Sequence, residues 1–167
     1  MELKELTEKT LEIFEVDDAS KLGSALFEGC NDETKLNAFN DLVDGDLSVD
    51  WMQMIYQYYL ADRKGKKQDY TPSCLAMFMG MLAGECDDIV DLCAGSGALI
   101  IQKWTQNKDT EFTAIEYDEN VIPFLLFNMV IRNIKATVIH KNALTNDEPT
   151  TTYRIEKGEK YGNVTNI

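Results

Sequence analysis

Hydrophobic positions along the chain change their spacing near residue 62. Up to that point they recur every three or four residues, the interval that lines one face of a helix. Leu3, Leu6, Thr10, Ile13 and Phe14 make one stripe. Leu22, Ala25 and Leu26 make a second, opened by Asp17 and Asp18 and ended by Gly29. Leu36, Phe39 and Val43 make a third behind Asn31. Trp51, Ile55, Tyr58 and Tyr59 make a fourth behind Ser48, both polar residues being candidate N-caps. Further on, helical stretches alternate with short apolar runs. Thr71-Pro72 reads as a cap and first-turn proline for a helix that carries Leu75, Phe78, Met79 and Leu82 and stops at Gly84. Residues 88–93, 111–116 and 136–140 read as strands. Between them lie a helix over 98–106 and another from Asn120 onward, with Pro123 in its first turn and Phe124, Leu125, Phe127, Val130 and Ile131 behind it. Strands alternating with helices predict parallel pairing through right-handed crossovers.

The expected fold class is therefore α/β: a partial Rossmann-like sheet of about three parallel strands with an N-terminal helical cap. The division is 1–67 for the cap, 68–145 for the α/β core and 146–167 for a tail. Residues 151–155 and 161–165, joined through Gly158, read as a β-hairpin that would cover a sheet edge. A disordered tail is the other reading.

Length and charge narrow the function. At 167 residues the chain suffices for one buried core. No run of about 18 or more apolar residues occurs, so no membrane span is expected, and the charged N-terminus lacks the apolar stretch of a secretory signal. The expected location is cytoplasmic. The net charge is −13, and residues 1–50 carry −10 of it. An overall basic, DNA-coating surface is excluded. The acidic helices read as a solvated cap or, more sharply, as a face for a basic partner. The basic run is Arg63-Lys64-Gly65-Lys66-Lys67, where a solvated linker is the simpler reading and a phosphate contact the other. Cys30, Cys74, Cys86 and Cys93 form no C-x-x-C pair, and His140 is the single histidine, so no metal site is expected. Cys93 reads as a small packing residue.

The chemistry concentrates in a strand, a glycine turn, a helix, a second strand and an acid. Gly95 and Gly97 let the backbone turn sharply and approach a ligand with no Cβ in the way. The helix that follows presents unpaired N–H groups. Glu116 ends the second strand 25 residues after Asp91, where nucleotide-binding folds place a carboxylate on ribose hydroxyls. A dinucleotide is disfavoured: G-x-G-x-x-G/A wants a small third residue, and Ile100 stands there.

Asp91-Leu92-Cys93-Ala94-Gly95-Ser96-Gly97 resembles the first motif of S-adenosylmethionine-dependent N6-adenine DNA methyltransferases. Gln68-Asp69-Tyr70-Thr71-Pro72, leading into a helix, resembles their N-terminal cofactor motif. The order matches modification subunits of type I restriction systems, well over 68–144 and more loosely before. The resemblance implies a methyltransferase-type sheet and S-adenosyl-L-methionine as cofactor. It lays Tyr70, Thr71 and Pro72 against the methionine end and brings Asp91 to the methionine amino group. Ala94, Gly95 and Gly97 supply backbone around methionine and ribose. Glu116 takes the ribose hydroxyls, Tyr117 covers an adenine face, and Asn142 with Ala143 meets the adenine amino group.

Prolines limit the resemblance. The family's catalytic motif is Asn or Asp, then Pro-Pro and an aromatic residue, which hold and stack the flipped base. Here prolines stand singly at 72, 123 and 149. The expectation is a cofactor-binding protein of the family without a catalytic residue of its own, methylating DNA only if more chain or a partner completes it. A homodimer or a restriction-modification subunit is the expected partner type. The alternative is a non-catalytic acidic interaction or anti-restriction protein that pairs with a modification subunit. A third reading is a fragment of a longer enzyme.

Overall fold

Seven α-helices and five strands follow one another in the described residues, which are all but Lys67. The structure is a computed structural model. The helices α1 (Leu3–Ile13), α2 (Leu22–Gly29), α3 (Glu33–Leu42) and α4 (Trp51–Tyr59) come first. Then come α5 (Ser73–Leu82), β1 (Asp88–Asp91), α6 (Ala98–Gln106), β2 (Glu111–Glu116), α7 (Ile122–Ile131) and β3 (Ala136–His140). A hairpin of β4 (Thr151–Glu156) and β5 (Asn163–Asn166) closes the chain.

At α3 and α4 the cap moves from the expected residue to a nearby carboxylate. Asp32, not Asn31, accepts the Thr34 and Lys35 amides at the start of α3, and Asp50, not Ser48, accepts the Gln53 amide at the start of α4. A charged acceptor gains from the positive end of the helix dipole as well as from the hydrogen bond. Pro72 rather than Thr71 is the N-cap of α5, and Val121 rather than Asn120 that of α7. The apolar stripe of α4 is also rotated. Met52, Ile55 and Tyr56 are buried, whereas Tyr58 is 70% exposed. Tyr56 wins the inward place because its ring packs edge-on against Phe124 at 5.0 Å and Tyr70 at 5.9 Å.

The sheet runs in the order β1-β2-β3-β4-β5. β1–β2 and β2–β3 are parallel, the three-stranded set expected from the pattern. The hairpin forms and lies antiparallel against the far edge of β3, with Val138 opposite Tyr153 and Ile155 opposite Val164. It thus covers β3 and leaves β1 as the other edge, paired only with β2 among the described residues.

Helix α7 is the centre of the core. Nine of its ten residues are buried. Phe127 receives Phe14 and Phe39 edge-on, at 5.4 and 5.1 Å, so the cap and the sheet share one hydrophobic core. On the sheet, Phe112, Ala114, Ala136 and Val138 are buried, whereas Val90, Thr113, Ile115, Thr137 and Ile139 alternate with them and are not. One face is covered and the other is open, unusual for parallel strands, which ordinarily carry helices on both faces.

Candidate functional site

Asp91 ends β1, and the chain then turns through Ala94–Gly97 into α6. The turn is held from three sides. The Ala94 amide donates to the Ile115 carbonyl at 3.0 Å, and the Gly97 amide to the Ala94 carbonyl at 2.8 Å. The Gly95 amide donates to Glu116 Oε2 at 2.8 Å. Gly95 and Gly97 both adopt left-handed backbone, at φ +55° and +98°. Their surroundings differ. A Cβ on Gly95 would meet only the Tyr70 ring, at 3.8 Å. A Cβ on Gly97 would fall 2.8 Å from Met129 and 3.1 Å from Leu125. Gly95 therefore keeps the turn open toward the cavity, and Gly97 lets it sit down on α7.

The register of β1 on β2 places Asp91 opposite Ala114, so that Glu116, two residues further along β2, lies just past the end of β1. Glu116 Oε1 accepts the Tyr117 and Asp118 amides at 2.9 and 2.8 Å. Its carboxylate is thus pinned by three backbone donors, with one lone pair on Oε2 left free. Asp91 is different. Oδ1 takes the Cys93 amide at 3.2 Å, but Oδ2 is buried without a hydrogen-bond partner. Burial, helped by the nearby Glu116 charge, raises the Asp91 pKa above the ordinary carboxylate value, against the effect of the Cys93 amide. An orphaned carboxylate oxygen of this kind is a place where a donor belongs.

A cavity of about 370 Å³ opens on this turn, within the size range of small-molecule sites. Of the residues singled out in the sequence, it is lined by Tyr70, Thr71, Ala94, Gly95 and Glu116. Pro72, Asp91, Gly97, Tyr117, Asn142 and Ala143 lie outside its lining. Pro72 is exposed at the head of α5. Tyr117 is 68% exposed, and Asn142 Oδ1 accepts the Leu144 amide at 3.0 Å. The phenol of Tyr70 is raised by burial first and by Tyr56 next, so it stays protonated. His140 sits at the end of β3 with Nε2 3.1 Å from the Tyr117 carbonyl, an ordinary strand-end contact.

Two groups had no individual role assigned from the sequence. Lys66 and Gln68 line the cavity too, and both are bonded to Asp118. Burial alone would raise Asp118, but the Lys66 ammonium and the bonds from Asn120 outweigh it and hold the carboxyl below its ordinary value. Lys66 is thus the member of the basic run tied to the site, and Lys67 of that run lies outside the described residues. The second group is a buried network behind the turn. Asp50 accepts the Ser96 hydroxyl at 2.7 Å and the Asn128 amide at 2.8 Å. Asn128 also donates to the Ser96 carbonyl at 2.8 Å, and Arg132 donates to Asn128 Oδ1 at 2.8 Å. Arg132 further donates to the Leu47 and Val49 carbonyls, both at 2.8 Å. Burial draws Arg132 down to about 10, with Asp50 pulling the other way. The cap therefore holds the glycine turn by hydrogen bonds. Only Asn128 inside an otherwise apolar α7, and Arg132 at its C-cap, signalled this in the sequence.

Taken together, the donors and acceptors suit a ligand with a cationic amine and paired hydroxyls. Among the described residues, no group of three or more His, Cys, Asp or Glu is placed to hold a metal ion. No helix there is long and apolar enough to cross a membrane.

A family profile described as N-6 DNA methylase matches residues 47–159, which includes the fourth cap helix, the turn and the first strand of the hairpin. No curated protein matches the chain. A solved protein of Listeria monocytogenes, described as a presumed class I S-adenosylmethionine-dependent methyltransferase, is similar in structure at 16% identity and a TM-score of 0.48. The similarity covers 87% of this chain and 53% of that one, so the chain spans about half that protein's length.

Proposed function

The chain belongs to the N-6 DNA methylase family, and from that membership we propose that it binds S-adenosyl-L-methionine at the glycine turn and serves the methylation of adenine N6 in DNA. The observation that carries the reading is the partnerless Oδ2 of Asp91, buried at the end of β1 two residues before Cys93, which lines the cavity. It would take the ammonium of the methionine end, whose positive charge supplies what the oxygen lacks. Glu116, held in orientation by three backbone amides, would meet the ribose hydroxyls with Oε2, whose remaining lone pair accepts one of them. Ala94 and Gly95 give close backbone approach, Tyr70 walls the cavity, and Thr71 offers a hydroxyl at its rim. Pro72 and Gly97 shape these contacts from behind. Tyr117, Asn142 and Ala143 would meet the adenine at the open end, which needs Tyr117 to fold inward from its exposed position.

The cofactor, when bound, supplies an electrophilic methyl group. The family's acceptor motif needs adjacent prolines, and these 167 residues contain none. Methyl transfer therefore calls on residues beyond these, on the same or another chain. A cytoplasmic restriction-modification setting, with DNA reached through such a partner, completes the reading.

Isothermal titration calorimetry with S-adenosyl-L-methionine is the test. A folded chain that gives no heat at high concentration rejects the reading. Glu116→Ala is expected to weaken binding by about 1.5–3 kcal/mol, the range for hydrogen bonds to a charged group.

A further inference from the structure

A cavity of about 510 Å³ lies at the far end of α6 from the glycine turn. Asp46 reaches it from the cap, Trp104 and Lys108 from α6 and the loop after it, and Arg132 from the end of α7. Lys160 and Tyr161 reach it from the loop between β4 and β5. It shares no lining residue with the cavity at the glycine turn.

Its charge runs against that of the chain. The whole chain stands at −13, yet three cations and one carboxylate line this cavity. Asp46 and the buried Asp50 act on Arg132. Lys108 and Lys160 are left over. Among the described residues seven lysines each hold a carboxylate in an ion pair, and these two do not. Asp109, beside Lys108 in the chain, is taken by Lys157 at 2.9 Å. The two ammoniums rest instead on aromatic rings of the lining. Lys108 Nζ stands 4.3 Å from the Trp104 ring centre, and Lys160 Nζ 5.0 Å from that of Tyr161. Lys160 also donates to Asn37 Oδ1, a neutral acceptor. Both rings are buried, so fixed walls hold the ammoniums at the cavity. A ring face attracts a cation and leaves its charge in place.

Two unpaired ammoniums on one cavity call for an anion. A phosphate carries a charge near −2 on several acceptor oxygens and matches both, where a carboxylate would match one. Lysine meets phosphate as a point charge and needs no fixed fork of donors. We propose that Lys108 and Lys160 form a binding site for a phosphate group, carried by a small ester or by a nucleic-acid backbone. The inference does not depend on the cofactor reading, since no part of it uses S-adenosyl-L-methionine.

The experiment titrates the full chain, without cofactor, with inorganic phosphate and follows its amides by NMR. Saturating shifts are expected at Trp104, Lys108, Lys160 and Tyr161. Acetate, with a single charge, is expected to bind about tenfold more weakly. Lys108→Gln and Lys160→Gln are each expected to weaken phosphate binding by about tenfold, with the circular dichroism unchanged. Lys108→Arg is expected to retain it. Lys64→Gln, which removes an exposed lysine outside the cavity, is expected to leave it as it was. A short DNA duplex separates the two sources. The same shifts with the duplex, lost in the same variants, assign a nucleic-acid backbone, and shifts with phosphate alone assign a small ester. Absence of these shifts with both probes overturns the proposal. So does an equal response to acetate, or an equal loss of binding in Lys64→Gln.

Discussion

Helices α5 and α7 are the two most apolar helices of the chain, and their fates are opposite. α7, with the sequence Ile-Pro-Phe-Leu-Leu-Phe-Asn-Met-Val-Ile, is enclosed on all sides by α2, α4, β3 and β5. α5, with Ser-Cys-Leu-Ala-Met-Phe-Met-Gly-Met-Leu, touches mainly α6 and buries two small residues. Neither helix carries an ionised side chain within its bounds. Composition alone thus calls for burial of both, since burial of apolar area is the dominant driving force. The difference is in what surrounds them. α7 lies over the middle of the sheet, with a helical cap above it. α5 lies beside α6, beyond which the sheet ends at β1. An apolar helix at the edge of a sheet has half of its surface with nothing to meet.

The contrast can be broken most forcefully in the core. Phe127→Ala, which removes the ring gripped by Phe14 and Phe39, is expected to cost about 3–5 kcal/mol in urea or thermal unfolding. A smaller loss would mean that α7 is less enclosed than its contacts indicate. Next in size is Arg132→Gln. It leaves Asp50 without its nearby cation and the Leu47 and Val49 carbonyls without a donor, and an expected loss of about 3 kcal/mol follows from breaking a buried charged network.

A change of opposite sign is expected at β1. Asp91 is raised in the folded state, so its ionised form opposes folding at neutral pH. The group's favourable contribution is present below the ordinary carboxylate pKa and is lost as pH rises through the raised folded value. Asp91→Asn is therefore expected to stabilise the chain by about 1–2 kcal/mol at neutral pH. That gain should shrink as the pH is lowered, while affinity for S-adenosyl-L-methionine falls. Thermal unfolding across pH checks the sign, and a gain independent of pH would show that charge is not its cause. The smallest effect belongs to α5. Phe78→Ser is expected to change stability by less than about 0.5 kcal/mol, as for an exposed position. A loss comparable to that at Phe127 would erase the distinction between the helices.

Much of this was written locally. The change from helical spacing to alternating strands, the three parallel strands, the glycine turn and the acid at the end of β2 all depend on neighbours a few residues apart. Less was visible where the competing choices were close in sequence. Asn31 against Asp32 and Ser48 against Asp50 were decided by the stronger acceptor. Tyr56 against Tyr58 was decided by which ring found Phe124 and Tyr70. Lys66 and Gln68 stood in the sequence only within the basic run and the cofactor-like motif, because their tie to the site runs through Asp118, about 50 residues away. The link from Asp50 to Ser96 and Asn128 spans 46 and 78 residues and has no local signature.

By itself, then, the sequence determined the element types, the parallel core and the glycine turn, because each follows from short-range periodicity and from the conformational demands of a few residues. The tertiary structure alone decided that Asp91 Oδ2 has no partner and that the cap grips the turn through Ser96. It also decided that the hairpin covers β3 rather than β1. Each of these depends on which distant surfaces meet, and a chain pattern that favours burial cannot say where a burial partner is missing.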